Sequence, residues 1–397
     1  MIDARNYYLK TLKKQIAFFK KGVKPIAPYF LNLLEIELSS NCNLSCPFCP
    51  SSELRRKRGF LPFEHYKRLI DYLSSKEYFP RISFSGDGEM FLHKNIVDFV
   101  SYAKQKGFHV QIINNGTLCG PKASSELISA GLDRIQFSVD SIVKKTYDKM
   151  RRQKRIGADL HYYEKTIFNI LEYAKMNYES NSPTTISIMA VQTDLNRNEA
   201  DSFRRYWEKF PIHNVYLSVL YTLAGNVASR FKEAKNAEYD GKIEDKPVCV
   251  NPFILACIKT DGKMLLCTHD SHAVYPIGNI IENGEKFDLA ENGERIERTI
   301  QIDKLWNNDR AQELRRALIE GKPEKFVKIG HDCQHCNAPL TGGSIDEYCM
   351  GSASARVKKI LLSMNKRRIP FNPKCREYVN VEKEIVKIAS RQAVSKS

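Results

Sequence analysis

Leu33 to Cys49 reads LLEIELSSNCNLSCPFC. The apolar run Leu33–Leu38 predicts a short strand, and it leads directly into three cysteines, Cys42, Cys46 and Cys49, spaced C-x3-C-x2-C. Thiolates at that spacing can wrap one corner of a cubane iron–sulfur cluster, because soft thiolate is the ligand such centres select. A four-iron cluster takes four ligands and this loop supplies three, so one iron stays open to chemistry. A zinc knuckle is the plain alternative. Zinc wants a fourth Cys or His close by, and the nearest histidine after the loop, His65, lies beyond a charged run.

Around this loop the chain has an ordinary globular composition. Its 397 residues, 42% hydrophobic and 27% charged, allow two or three domains with a sizeable core. The longest apolar runs, such as Phe253–Cys257, fall far short of the roughly 18 to 20 residues that cross a bilayer. No basic stretch, apolar core and small-residue cleavage site mark a secretory signal. Eleven cysteines, clustered with metal-ligand spacing, then predict a reducing, cytoplasmic setting.

The net charge of +16 sits at the two ends: residues 1–24 contribute +6 and residues 353–397 contribute +9, leaving +1 for everything between. Tyr8, Leu12, Ile16 and Phe19 fall on one helical face among lysines, which predicts a basic amphipathic helix within residues 1–30. Such a helix packs on the domain that follows, the favoured reading, or makes peripheral contact with an anionic membrane. A second basic helical face, Val357, Ile360, Leu361 and Met364, falls in the tail, 351–397. These ends could attract an anionic substrate or lipid. Nothing resembles an RNA-binding module, and no nucleic acid is expected.

Between residues 31 and 223, short β-branched or aromatic runs alternate with helical patterns. The strands expected are Leu33–Leu38, Arg81–Phe84, His109–Ile113, Arg134–Val139, Thr185–Val191 and Val215–Leu220. The helices expected are Phe63–Leu73, Ile96–Lys106, Tyr162–Tyr178 and Glu199–Phe210. Six strands separated by helices predict parallel βα units. The cysteine loop then lies at the carboxyl end of the first strand, where barrels of this kind place their active sites.

The loop and this order of elements resemble the radical S-adenosylmethionine (radical SAM) superfamily. The resemblance implies an α/β fold, a partial (β/α)6 TIM-like barrel, with Cys42, Cys46 and Cys49 holding a [4Fe–4S] cluster and S-adenosylmethionine on its open iron. One electron from a flavodoxin- or ferredoxin-type reductant would then yield a 5'-deoxyadenosyl radical that takes hydrogen from a substrate. Further motifs carry the likeness. Ser85–Met90 (SGDGEM) is similar to the family's G-G-E-P turn, with Asp87 inserted and Met90 in place of proline; it implies that Gly86, Gly88 and Glu89 meet the methionine amine. Asn114–Thr117 (NNGT) is similar to the turn near the ribose, which implicates Asn115. Ser138 and Arg151, with Arg152 as an equal candidate, match the pair that holds the methionine carboxylate, and Phe48 joins them from within the cysteine loop.

Residues 224–247 are polar, weakly periodic and long enough to be a linker or lid. Beyond them Cys249, an Asp261-Gly262 hairpin turn, Cys267, and Cys333-x2-Cys336 follow in order. This pattern resembles the small α+β auxiliary-cluster domain called SPASM, in its shortened "twitch" form, over residues 248–350. It implies a second, fully ligated [4Fe–4S] cluster on Cys249, Cys267, Cys333 and Cys336; a structural zinc is the competing occupant. Cys349 and Cys375 are too distantly spaced to complete a further cluster. Asp270, then His269, are the candidate proton acceptors just beyond Cys267. The combined expectation is a two-electron dehydrogenation of a sugar- or aminocyclitol-like small molecule. The alternatives are modification of a ribosomally made peptide and a zinc-bearing interaction protein without catalysis.

Overall fold

The computed structural model describes residues 33–154, 161–218, 220–224, 226, 249, 251–281, 287–289, 295–297, 302–327 and 329–337. The expected N-terminal helix, nearly all of the 224–247 linker, and the 351–397 tail, with Cys349 and Cys375, lie outside the described residues.

All six expected strands form, most of them trimmed or shifted by one or two residues. They are β1 (Leu33–Ile36), β2 (Arg81–Phe84), β3 (Val110–Asn114), β4 (Arg134–Ser138), β5 (Thr185–Val191) and β6 (Asn214–Ser218). Helices α1 (Phe63–Ser75), α2 (Ile96–Gln105), α3 (Pro121–Ser129), α4 (Lys144–Met150), α5 (Tyr162–Glu179) and α6 (Ala200–Trp207) connect them. Neither α3 nor α4 was expected from periodicity. Helix α3 begins on Pro121 in its first turn, where a missing N–H is harmless, and α4 spans only seven residues. Consecutive strands from β1 to β6 pair in parallel, giving the barrel-like array of βα units that the sequence predicts.

The array continues past its first strand. Strand β7 (Leu255–Ile258) pairs in parallel with β1, and β8 (Lys263–Leu265) and β9 (Gly278–Asn279) add antiparallel partners, for a nine-stranded order β6-β5-β4-β3-β2-β1-β7-β8-β9. The expected Asp-Gly turn joins β7 to β8, and Gly262 sits there at φ +82°. No described helix is long and apolar enough to cross a membrane.

Side-chain alternation divides the strands into two faces. Leu34, Ile36, Ile82, Phe84, Val110, Ile112, Ile135, Phe137, Ile186 and Ile188 are fully buried in the main hydrophobic core. The opposite parity carries buried polar side chains, Glu35, Ser83, Gln111, Gln136 and Ser187, interspersed with apolar ones such as Leu33, Ile113 and Met189. A parallel sheet covered on both faces by apolar layers reads as continuous hydrophobic runs. Here one face is mixed, and Glu35, Ile113, Ser138, Met189 and Val191 from it line a cavity.

Tyr66 of α1 and Phe99 of α2 clamp Phe84, with ring centroids 5.7 and 6.1 Å from it, and the Tyr66 hydroxyl donates to the Phe99 carbonyl at 2.8 Å. Replacing Phe84 by Ala removes the ring these helices pack on, two residues before the Gly-rich turn. The expected cost is about 3–5 kcal/mol of unfolding free energy, read by denaturant titration; a wild-type midpoint would contradict this packing.

Candidate active site

The cysteine loop is held from several sides. Ser45 N–H donates to the Arg152 carbonyl at 2.7 Å and Lys154 N–H to that of Asn43 at 3.2 Å, a short antiparallel contact centred on Leu44 and Gln153. Asn43 bonds Thr117 and Asn115 through its side chain at 2.8 and 2.9 Å. Leu44, Cys46 and Phe48 pack with Met150 and Leu220 in a separate small core. The three thiols are thereby presented from a braced loop.

The turn after β2 lies against the backbone leading into that loop. Glu89 N–H donates to the Asn41 carbonyl at 2.7 Å. A Cβ on Gly88 would sit 2.1 Å from the Ser39 carbonyl oxygen and 2.6 Å from that of Asn41, so only glycine allows this approach. The buried Glu89 carboxyl accepts from Asn115 N–H at 2.8 Å and from Phe91 N–H at 3.1 Å. It thus joins the ends of β2 and β3. Burial raises its pKa to about 7 despite those donors.

Of the two arginines the sequence left open, Arg151 is the one brought inward. Its Nε lies 2.5 Å from Asp140 Oδ2, and its guanidinium stands 5.8 Å from the Phe48 ring centroid. Asp140 also accepts from Val191 N–H at 2.8 Å. Burial opposes the charge on Arg151, but Asp140 and Cys46 push its pKa above the usual arginine value.

The second cysteine set also converges. Cys267 ionises far less readily than a free thiol because of burial and then because of Cys333, Cys249 and Cys336 around it. The Cys333–Cys336 segment is fastened to the stretch after β6: Asn337 accepts from Thr222 N–H at 3.0 Å and donates to the Leu220 carbonyl at 2.9 Å, and Asp332 N–H reaches the Ala224 carbonyl at 3.2 Å.

These parts surround one cavity of about 260 Å3. Cys42, Cys46, Phe48 and Cys49 line it, with Gly86, Gly88 and Glu89 from the second turn, Asn115 from the third, and Ser138 and Arg151 from the fourth. Thr268, His269 and Ser271, beside Cys267, form another part of its wall with Tyr221. His269 stands edge-to-face on Tyr221, and its buried Nδ1 has no hydrogen-bond partner. Burial lowers its pKa to about 4. Asp270, ranked ahead of His269 from sequence, does not reach the cavity wall. Its two carboxylate oxygens accept from Val274 N–H at 3.0 Å and Tyr275 N–H at 2.9 Å, four and five residues on, and so brace the loop that follows.

A buried ionic cluster whose pairing has no local signature in the sequence borders the cavity through Asp87. Arg56 NH2 meets Glu37 at 2.6 Å and Asp87 at 3.0 Å, and Lys259 Nζ meets Asp87 at 2.8 Å, all buried. Arg56 Nε donates to the Ser271 carbonyl at 2.8 Å. The two cations outweigh desolvation and hold Asp87 well ionised. The inserted Asp87 of the Gly-rich turn is therefore the hub joining β1, β2, β7 and both cysteine loops. Its partners, Arg56 and Lys259, are far apart in sequence, and only Glu37, alternating with apolar neighbours, carried a local signal.

The donor sets fit iron–sulfur clusters chemically. Burial pushes Cys42 up to about 12 and Cys49 higher still, and the neighbouring cysteines add to both shifts. Thiols so placed become thiolates against the positive charge of a metal centre. All nine described cysteines are outside disulfides. Among the described residues, no three His, Cys, Asp or Glu close around a single-ion site.

A model of the Radical SAM superfamily matches residues 36–206. The tungsten-containing aldehyde ferredoxin oxidoreductase cofactor-modifying protein of Pyrococcus furiosus is 25% identical over 219 residues, 55% of this chain and 58% of that protein. A GTP 3',8-cyclase of Heliobacterium modesticaldum is 29% identical over 231 residues, 55% of this chain and 66% of the cyclase. The chain therefore spans less than two thirds of the length of these curated relatives. In fold it is similar to Streptococcus suis SuiB, solved bound to the precursor peptide SuiA, with a TM-score of 0.53 over 77% of this chain and 70% of SuiB, at 14% identity.

Gly88→Ala drives a methyl into the Ser39 and Asn41 carbonyls and displaces the turn from the cysteine loop. The variant is expected to keep its far-UV circular dichroism and lose iron uptake on reconstitution. Wild-type iron content in the variant would contradict that close contact.

Proposed function

From the radical SAM domain at residues 36–206, we propose that this protein is an oxidoreductase that removes two hydrogens from a sugar- or aminocyclitol-like small molecule. The observation carrying the reading is the convergence of Cys42, Cys46 and Cys49 with Glu89, Ser138 and Arg151 on one cavity that also borders the loop after Cys267. Bound together, a [4Fe–4S] cluster and S-adenosylmethionine supply a 5'-deoxyadenosyl radical able to take hydrogen from carbon, given one electron from a flavodoxin- or ferredoxin-type reductant. Cys42, Cys46 and Cys49 are the cluster ligands. Glu89 accepts the methionine ammonium, with Gly86 and Gly88 allowing close approach. Ser138 and Arg151 hold the carboxylate, Arg151 being pre-aimed by Asp140. Asn115 and Phe48 line the remaining cofactor surface.

Cys249, Cys267, Cys333 and Cys336 are the ligands of an auxiliary [4Fe–4S] cluster, in a region of about residues 248–350 that follows the 31–223 barrel. Its chemistry would be to take up the second electron. His269, facing the cavity where Asp270 does not, is the residue positioned to receive the accompanying proton. A cytoplasmic setting suits the reduced thiols this scheme needs.

Iron and sulfide are to be counted after anaerobic reconstitution of wild type and of a Cys42/Cys46/Cys49 triple alanine variant. About eight irons falling to about four, with loss of S-adenosylmethionine cleavage, is the outcome expected for two four-iron clusters. Cleavage retained by the triple variant would refute the proposal. Four irons falling to none, with zinc bound, would remove the internal electron acceptor and with it the dehydrogenation.

Glu89 adds a pH signature. Its carboxyl, raised to about 7 by burial, must lose a proton before it can pair with an ammonium. Affinity for S-adenosylmethionine is therefore expected to climb from pH 5 to 7 by up to about tenfold per unit, measured by equilibrium binding to reconstituted protein. Glu89→Gln should bind weakly and without that slope; an equal slope in the variant would remove Glu89 from this role.

A further inference from the structure

Two carboxyls in the cavity wall, Glu89 and Glu35, have no ion-pair partner among the described residues. In the proposed function Glu89 takes the ammonium of the cofactor and Glu35 has no part, although Glu35 is only 3% exposed and lines the same cavity.

The sheet register explains what surrounds Glu35. On adjacent strands, Glu35 stands opposite Ser83 on one side and Cys257 on the other, and Ser83 stands opposite Gln111. Gln111 Nε2 donates to Ser83 Oγ at 2.9 Å, Ser83 and Ser85 hydroxyls meet at 2.9 Å, and Ser85 Oγ donates to Glu35 Oε2 at 3.0 Å. Since Ser85 spends its proton on Glu35 and Ser83 receives one from Gln111, the hydroxyl pair is directed from Ser83 to Ser85. The whole row donates toward the carboxylate and so favours its charged form. The nearby cations are already committed: Lys259 to Asp87, and Arg56 to Glu37 and Asp87. Two positive and two negative groups make that cluster neutral. Glu35 thus lines the cavity with oriented donors behind it and no cation within ion-pair distance among the described residues, and burial, partly offset by the charge of Lys259, raises its pKa to about 7. A buried anion without a partner is costly, and a cation bound in the cavity removes that cost.

We infer that Glu35 is a substrate-recognition residue and that the substrate presents it with a protonated amine. This rests on the proposed function, and narrows its substrate class to amine-bearing polyols rather than neutral sugars.

The test uses reconstituted full-length enzyme saturated with S-adenosylmethionine. It is titrated calorimetrically with matched pairs in which every amine is exchanged for a hydroxyl: glucosamine and glucose, an inosamine and inositol, 2-deoxystreptamine and its pentahydroxy counterpart. At least one amine is expected to bind where its hydroxyl twin does not. Glu35→Gln, nearly the same shape, should weaken that amine by at least about 30-fold, the scale for truncating one side of a buried charge pair. Binding of hydroxyl members as tightly as their amines, no binding by any amine, or unchanged amine affinity in Glu35→Gln would overturn the inference. Should that variant fail to fold, Glu35→Asp keeps the charge: preserved amine preference supports the inference and lost preference overturns it. Release of 5'-deoxyadenosine from S-adenosylmethionine and dithionite is measured on the same wild-type enzyme. Its absence refutes the enzymatic reading itself, whereas its presence without amine selectivity refutes only the role of Glu35.

Discussion

Asp87 with its two cations is the contact on which the rest of the architecture depends. Lys259 reaches it from β7 and Arg56 from the segment after the cysteine loop, while Asp87 N–H donates to Glu37 of the first strand region at 3.0 Å. One neutral, buried cluster thus ties together the Gly-rich turn, both cysteine loops and the strand between them. Buried ion pairs add little net stability compared with apolar packing, yet losing one member leaves an uncompensated charge. Such a cluster tolerates one arrangement and penalises the rest, which suits loops that must hold ligands in register.

The same economy of charge runs through the cavity. Arg151 is answered by Asp140, and Asp87 by Lys259 and Arg56. Glu89 and Glu35 accept only neutral donors. In a low-dielectric enclosure satisfied ions stay fixed, Arg151 among them as a pre-aimed donor, and carboxyls without a cation are where a cationic ligand gains most. The polar residues on the inner face of the sheet make this possible, because Ser83, Ser85 and Gln111 solvate Glu35 without neutralising it.

Much of this was readable from the chain. Alternation in LLEIELS and RISFS set strand positions closely, and each motif falls at a strand's carboxyl end, so a correct strand order brings the motifs together. Helix α4, with seven residues, was too short for periodicity to register. Asp270 and His269 part ways in the fold: the Asp270 carboxylate accepts from Val274 and Tyr275 N–H, while His269 lines the cavity. Arg56, Lys259 and Asp140 escaped notice because their roles arise from pairing across the fold. Lys259 and Asp87, for instance, are 172 positions apart, a relation that no window of sequence displays.

The parallel pairing of β1 with β7 has a consequence for how the chain is made. Thr260 N–H closes on Glu37 across 223 positions, so during synthesis the outer edge of β1 stays without its partner until Leu255–Ile258 have emerged. An open strand edge is a template for wrong pairing, and contacts this distant form late. The two cysteine-bearing halves therefore mature together: the earlier one cannot finish its own sheet before the later one arrives.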